Sequence, residues 1–506
     1  MSDTTLILFN YPLDYEIKEN GNYYHDPEVP KGKPTYHYTS VPIDYGFPAD
    51  VAYKVLEEVY IPSEDGVSNG RTAQEANALE QEAFRITGNL PEGTTTNGTT
   101  NGRTEALTWR PSGRLRVWDD IIGSYTTSTQ VFSHWEYYDC GGGGEEPTQQ
   151  KGVSSDLPSK QPQAPTGQCR RAIYTTKYET HSGSYIPLEG ILVRMHTFVK
   201  IAWGTTNTTG NYSSNLTFLN GAPVQYSLVW ETTKYRIYNE LVPALHNGPL
   251  QSSAWNWDNG SGKQLGYATI HRAGYRYHWK DIGGLKRPGV INRLLITYKD
   301  TDGTGIYYFH YWQQILQGLT IPNIRIWSTE NGMKKLTNRI FATTTHELGH
   351  ASQTELMKSN VIWVNKDIFE SWAEAVEWHI TRIEYEFHGE INYDDTNALN
   401  AEGNNNDRFI INGITYHARE HKQWWTRAGD HDYTPVFIDM VDAYNQDFIR
   451  FTGPNDGVTG YTMGGIEGGF LENVYNLGGL RTQLQANRPG TVTWGQVDTY
   501  MNYYNW

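Results

Sequence analysis

Residues 342–378 read ATTTHELGHASQTELMKSNVIWVNKDIFESWAEAVEW. In this stretch His346 and His350 stand four apart, about 400° of rotation on an α-helix, so both imidazoles leave one face and can hold one metal ion. Glu347 lies beside them. Neutral imidazoles suit zinc, and a catalytic zinc takes a third protein ligand while leaving a position for water. Nineteen residues lie between His350 and Glu370, enough for the first helix to finish, turn near Lys358 to Asn360 and return antiparallel. That return delivers Glu370 as third ligand, with Glu374 and Glu355 as the alternatives. Glu374 follows Glu370 by one turn and shares its face, where it can accept a hydrogen bond from the N–H of a ligand histidine. Asp367-x-x-Glu370 also reads as a capping box, which would fold Glu370 back onto the backbone; a helix beginning at Asn365 removes that conflict. Thr343 to Thr345 weaken helix propensity by at most ~0.7 kcal/mol each, a cost that packing overrides.

The spacing sorts the subclasses. An HExxHxxGxxH pattern needs glycine and histidine where this chain has Gln353 and Leu356, so the metzincin reading fails. Over residues 340–380 the sequence instead resembles the thermolysin-like zinc peptidases, the gluzincins, and ESWAEAVEW looks like the corresponding helix of zinc aminopeptidases. The resemblance implies His346, His350 and Glu370 as zinc ligands and Glu347 as general base toward water. The chemistry agrees, because a carboxylate beside an acidified water can take its proton and return it to the leaving amine. The family pattern has Asp where this chain has Glu374. The family also sets an antiparallel edge strand above its cleft, and Ile324 to Trp327 is the expected counterpart. A tetrahedral oxyanion needs a second electrophile from the chain beyond these helices. Tyr416, His417, His421, His431 and Tyr433 lie there, of which Tyr416 and His417 are the candidates retained. Tyr444 falls on an apolar helical stripe with Phe437, Val441 and Phe448, which marks core. HExxH also occurs by chance on solvated helix faces; Glu370 and Glu374 at the required places argue against that reading here.

Around this motif the chain has 506 residues, long enough for several domains, with 36 Tyr and 17 Trp to build cores. Lys and Arg number 41 against 56 Asp and Glu, a formal charge of −15, and a field of that sign repels phosphate backbones. Nucleic acid is disfavoured as a partner class. No stretch approaches the roughly 20 apolar residues that span a bilayer as a helix, and Met1 to Tyr15 lacks a signal-peptide pattern. Low charge with abundant Tyr, Trp, Asn, Thr and Gly points to a secreted or cell-surface protein, such as a lipid-anchored one with its signal removed. Two cysteines, Cys140 and Cys169, allow either one disulfide or two thiols and are too few for a cysteine zinc site.

The expected architecture is multidomain α+β. A mixed segment at 1–105 holds a short helix over Val51 to Val59 and a second with Leu79, Ala83 and Ile86 on one face, opened by the Thr72/Glu75 capping box. A β-sandwich is expected at 106–239, with alternating runs around Leu115 and Val117 and around Ile191, Val193 and Met195, and a flexible insertion at 140–170 rich in Gly, Pro, Gln and Ser. The string PLEGILVRMHTFVKIAWGTTNTTGNY, Pro187 to Tyr212, resembles the carboxypeptidase regulatory-like β-sandwich modules of bacterial surface proteins. A mainly helical gluzincin-like catalytic region is expected at 240–506, with a helix over Tyr267 to Trp279 and a strand over Arg293 to Tyr298. Lys299 to Gly305 (KDTDGTG) has the look of a calcium loop but lacks the distal Glu, so a plain turn is expected. No phosphate-binding glycine loop and no G-x-S-x-G elbow occurs. The functional expectation is a zinc metallopeptidase, an endopeptidase acting on protein or peptide substrates at or outside the cell surface, docked there to a surface or outer-membrane complex. The alternative is a non-catalytic surface binding or assembly protein with a degenerate peptidase domain.

Overall fold

The structure is a computed structural model. It describes residues 8–12, 15–39, 41, 47, 51–58, 73–91, 108–139, 168–197, 200–240, 242–288, 293–303, 305–307, 323–330, 332–389, 408–411, 414–417, 434–442 and 458–504. Helices and sheets are both present, as an α+β chain requires. The chain divides into two compact units: Met1–Asp119 with Tyr185–Trp506, and Asp120–Ser184. Among the described residues no helix is long and apolar enough to cross a membrane.

In chain order, the elements that matter begin with α1 (Ala73–Ile86), β1 (Ser112–Asp139), β2 (Gln168–Pro187), β3 (Leu192–Thr197), β4 (Lys200–Thr205), β5 (Val224–Val229), β6 (Tyr235–Asn239) and β7 (Leu245–Gln251). They continue with α2 (Gly262–Trp279), β8 (Leu294–Asp302), β9 (Gly305–Tyr307), β10 (Ile324–Glu330), β11 (Met333–Lys335), α3 (Thr337–Met357), α4 (Lys366–Phe387), β12 (Arg408–Ile411) and β13 (Ile414–His417). β7, β5, β3 and β4 form a four-stranded antiparallel sheet. Its alternation follows the sequence: Ile191, Val193 and Met195 are fully buried. Leu115 and Val117, in the first part of β1, are fully buried as well.

α1 does not bury the stripe expected of it. Leu79 and Ile86 are 50% and 42% exposed, while Glu80 and Phe84 face inward. A carboxylate is tolerated there because Lys200 Nζ sits 2.8 Å from Glu80 Oε2, Thr197 Oγ1 donates to Glu80 Oε1 at 3.0 Å, and the Leu219 N–H donates to Oε2 at 3.0 Å. Residues 51–58 form no helix; Val55 and Leu56 are 62% and 61% exposed, so the periodic run there has found nothing to pack against.

The region after residue 240 holds a large mixed sheet as well as its helices. Its order is Val242–Pro243, β6, β8, β10, β11, β13, β12, with β9 also paired to β10. β6 precedes the expected boundary at 239 yet pairs in parallel with β8, and β7 follows it yet pairs back with β5, so the chain passes between the two sheets more than once. α2 comes close to this sheet at Gly266, where a Cβ would lie 2.3 Å from the Tyr298 ring on β8. Arg272 and Arg276 of α2 reach Glu384 of α4 at 3.2 and 2.6 Å, and Arg272 also reaches Asp119 of β1 at 2.7 Å. These buried pairs tie α2 to the helix that carries Glu370. Burial works against the Glu384 carboxylate, but His388 and the two guanidiniums outweigh it and hold its pKa at about 2.

Candidate metal centre

α3 forms over the HExxH stretch despite its threonines because their hydroxyls turn back on the helix. Thr344 Oγ1 donates to Ile340 O at 2.7 Å and Thr345 Oγ1 to Ala342 O at 2.8 Å, leaving both buried hydroxyls satisfied. Lys358, at φ 54°, ends the helix, and a 3₁₀ turn over Lys358–Trp363 reverses the chain. Asn365 then caps α4: its side-chain oxygen accepts from the N–H groups of Asp367 at 2.8 Å and Ile368 at 3.4 Å. The helix starts where the capping-box conflict disappears, and Glu370 is free of the backbone.

The two helices run antiparallel, so that His350 meets Glu370 and His346 meets residues further along α4. His350 Nε2 and His346 Nε2 lie 3.2 and 3.5 Å from Glu370 Oε2. One ligand atom from each of His346, His350 and Glu370 falls within 4.8 Å of the others. Ligands about 2.0–2.1 Å from a tetrahedral zinc stand about 3.3 Å apart, so these separations and this two-nitrogen, one-oxygen donor set fit that ion. His346 Nδ1 is turned the other way, 3.1 Å from Glu377 Oε2 and 3.3 Å from Glu374 Oε2. A carboxylate at Nδ1 holds the proton there and leaves Nε2 for a metal. His350 stacks on Phe369, ring centroids 4.2 Å apart.

His346, Glu347 and His350 are each about 95% buried, and Glu374 and Glu377 are wholly so. Burial drives the His346 imidazole toward the neutral form, but hydrogen-bonding contact with Glu370, Glu374 and Glu377 prevails and lifts its pKa well above the ordinary value. His350 is lowered, burial outweighing the pull of Glu370. Glu370 is lowered too: burial opposes its charge, and the two histidines more than compensate.

Glu374 lies where the sequence puts it, beside the first histidine, but shares that position with Glu377. Glu377 was legible as the next member of the stripe Glu370, Glu374, Glu377 at i, i+4, i+7. Glu355 is exposed and takes no part. The expected edge strand needs correction. Ile324 to Trp327 is interior, flanked in parallel by β8 over Ile296–Lys299 and in antiparallel by β9, with Gly305 opposite Ile326. β9 is the strand that approaches the site: a Cβ on Gly305 would come within 2.3 Å of Glu347 Oε1 and 2.6 Å of Thr343 Cγ2. Tyr416 and His417 lie on β13 opposite Lys334 and Lys335 of β11, the strand that leads into α3; their side chains are outside the described residues. His421, His431, Tyr433, Tyr444 and Cys140 also fall outside.

No protein-family model matches this chain, and no curated protein matches it significantly.

Proposed function

We propose that the chain is a zinc-dependent peptidase that hydrolyses peptide bonds of protein or peptide substrates at the cell surface or outside the cell. The observation that carries this reading is the convergence of His346, His350 and Glu370 with Glu347 alongside on the same helix. Zinc held by those three residues would supply a Lewis acid that polarises the scissile carbonyl and acidifies a water. Glu347 then takes a proton from the water as its oxygen bonds the carbonyl carbon, and hands that proton to the nitrogen as the C–N bond breaks. Glu377, bonded to Nδ1, keeps His346 in one tautomer and one orientation. β9 pairs with β10 and comes up beside Glu347 at Gly305. Tyr416 and His417 remain the candidates for the oxyanion donor. Export is supported by the low-charge, aromatic composition alone.

Metal analysis tests the reading: about one zinc per chain is expected, lost in Glu370→Ala. Glu347→Gln should keep the zinc and abolish peptide cleavage. A chain that binds no zinc at neutral pH, or a Glu347→Gln variant with full activity, would overturn it.

A further inference from the structure

Gln353 has no part in the hydrolytic chemistry, yet it is wholly buried on α3, and neither Oε1 nor Nε2 of its amide has a hydrogen-bond partner among the described residues. A buried amide without partners costs far more than a Leu or Met filling the same space, so the position asks for a chemical reason.

Its place on the helix supplies one. Seven residues after His346 falls about 20° short of two full turns, and three after His350 is the next turn, so the three side chains share a stripe. That stripe is turned to α4. His346 faces Glu374 and Glu377, His350 faces Phe369 and Glu370, and a Cβ on Gly349 beside them would lie 3.3 Å from Val376 Cβ. Side chains on a helix lean toward its N-terminus, which carries the Gln353 amide back over the turn of His350.

The two histidines are held by different means. His346 has Glu377 at Nδ1, 3.1 Å away, and turns Nε2 to Glu370. His350 also turns Nε2 to Glu370, at 3.2 Å, and with Nε2 kept for a metal its ring proton belongs on Nδ1. Phe369 covers the face of that ring and its side chain brings no acceptor. Gln353 Oε1 is an acceptor one helical turn away.

We propose that Gln353 is the positioning residue of His350: its Oε1 accepts from Nδ1–H when the metal is held, fixing the tautomer and the plane of that ring as Glu377 does for His346. This inference rests on the zinc reading of the site. The bond closes by rotation of the Gln353 side chain about its own torsions, with both helices in place. The rival for the amide is Trp372 of α4, whose buried Nε1 also lacks a partner among the described residues. Trp372, however, leans toward the start of α4, away from the turn of His350, with its ring edge-on to Phe437 at 5.4 Å.

The test takes the whole chain, stripped of metal and titrated with zinc against a chromogenic chelator. Gln353→Met keeps the length of the side chain and removes the acceptor; it should weaken zinc binding about 10- to 100-fold, while Trp372→Phe stays within about threefold of wild type. The denaturant midpoint of metal-free Gln353→Met should be no lower than that of wild type, and Gln353→Leu should repeat both results. Proton NMR of the zinc-loaded, histidine-labelled chain supplies the signature. Gln353→Met should lose the downfield imidazole N–H resonance of His350 and keep the one that Glu377→Ala removes. Unchanged zinc affinity in Gln353→Met, or weakened affinity with both resonances intact, would overturn the inference while leaving the metal centre standing. Equal weakening by Trp372→Phe would also overturn it and give the amide to Trp372. A wild type that takes up no zinc would overturn the reading of the site and this inference together.

Discussion

His346 Nδ1 lies 3.1 Å from Glu377 Oε2, a carboxylate seven residues beyond the candidate ligand Glu370 rather than the four of Glu374. Glu374 is nearly as near, at 3.3 Å, yet one N–H makes one good hydrogen bond. The shorter contact assigns the orienting role to Glu377. Glu377→Ala should therefore weaken zinc binding about 10- to 100-fold, the usual cost of losing such a partner, with Glu374→Ala costing less. Competition with a chromogenic chelator ranks the two, and the reverse order would transfer the role to Glu374.

Gly305 and Glu347 make a second test. A methyl group at 305 cannot share space with Glu347 Oε1, 2.3 Å from where it would sit. Gly305→Ala must push the carboxylate or the strand aside, and a displacement near 1 Å costs roughly 100-fold in rate. The expected result is a fall of that order in kcat with zinc content unchanged. Loss of zinc together with activity would mean that α3 itself had moved.

The ion pair of Lys200 and Glu80, both almost wholly buried, should show the asymmetry of desolvated charges. Glu80→Ala strands the ammonium and should cost about 3–5 kcal/mol, whereas replacing both partners with Leu and Met should recover much of it. Urea unfolding of the two single variants and the double variant measures this. Equal destabilisation by Glu80→Ala and by the double change would count against a buried pair.

What could be read from the sequence was local. The turn spacing of His346 and His350 and the cap at Asn365 depend on residues within a few positions of one another, and the return to Glu370 spans only nineteen residues, so helix and turn geometry relate them. The errors fall where a distant partner decides. α1 turns Glu80 inward because Lys200 lies 120 residues ahead to receive it, and no periodicity in 73–86 announces that. Gly305 reaches Glu347 only because β9 inserts beside β10, a matter of strand order that alternation in either strand cannot specify. Glu377 is the exception: it sat on the visible helical stripe and needed one more turn of the same argument.

Glu467 gives stability a dependence on pH. Its carboxyl is buried, accepting from the Lys286 N–H and from Ser352 Oγ at 3.5 Å. Burial pushes its pKa up to about 7, against the smaller opposing pull of those donors and of the Lys286 charge. A raised carboxyl binds its proton more tightly in the folded chain. Below the ordinary value near 4.5 both states are protonated and the full contribution is present; as pH climbs to about 7, only the unfolded chain has released its proton, and stability falls by about 3 kcal/mol. Glu467→Gln keeps the shape and removes the titration. Relative to wild type it should therefore gain steadily between pH 4.5 and 7 in denaturant midpoint, and change no further above that. Midpoints that stay parallel across the range would show that folding leaves the pKa of this carboxyl unshifted.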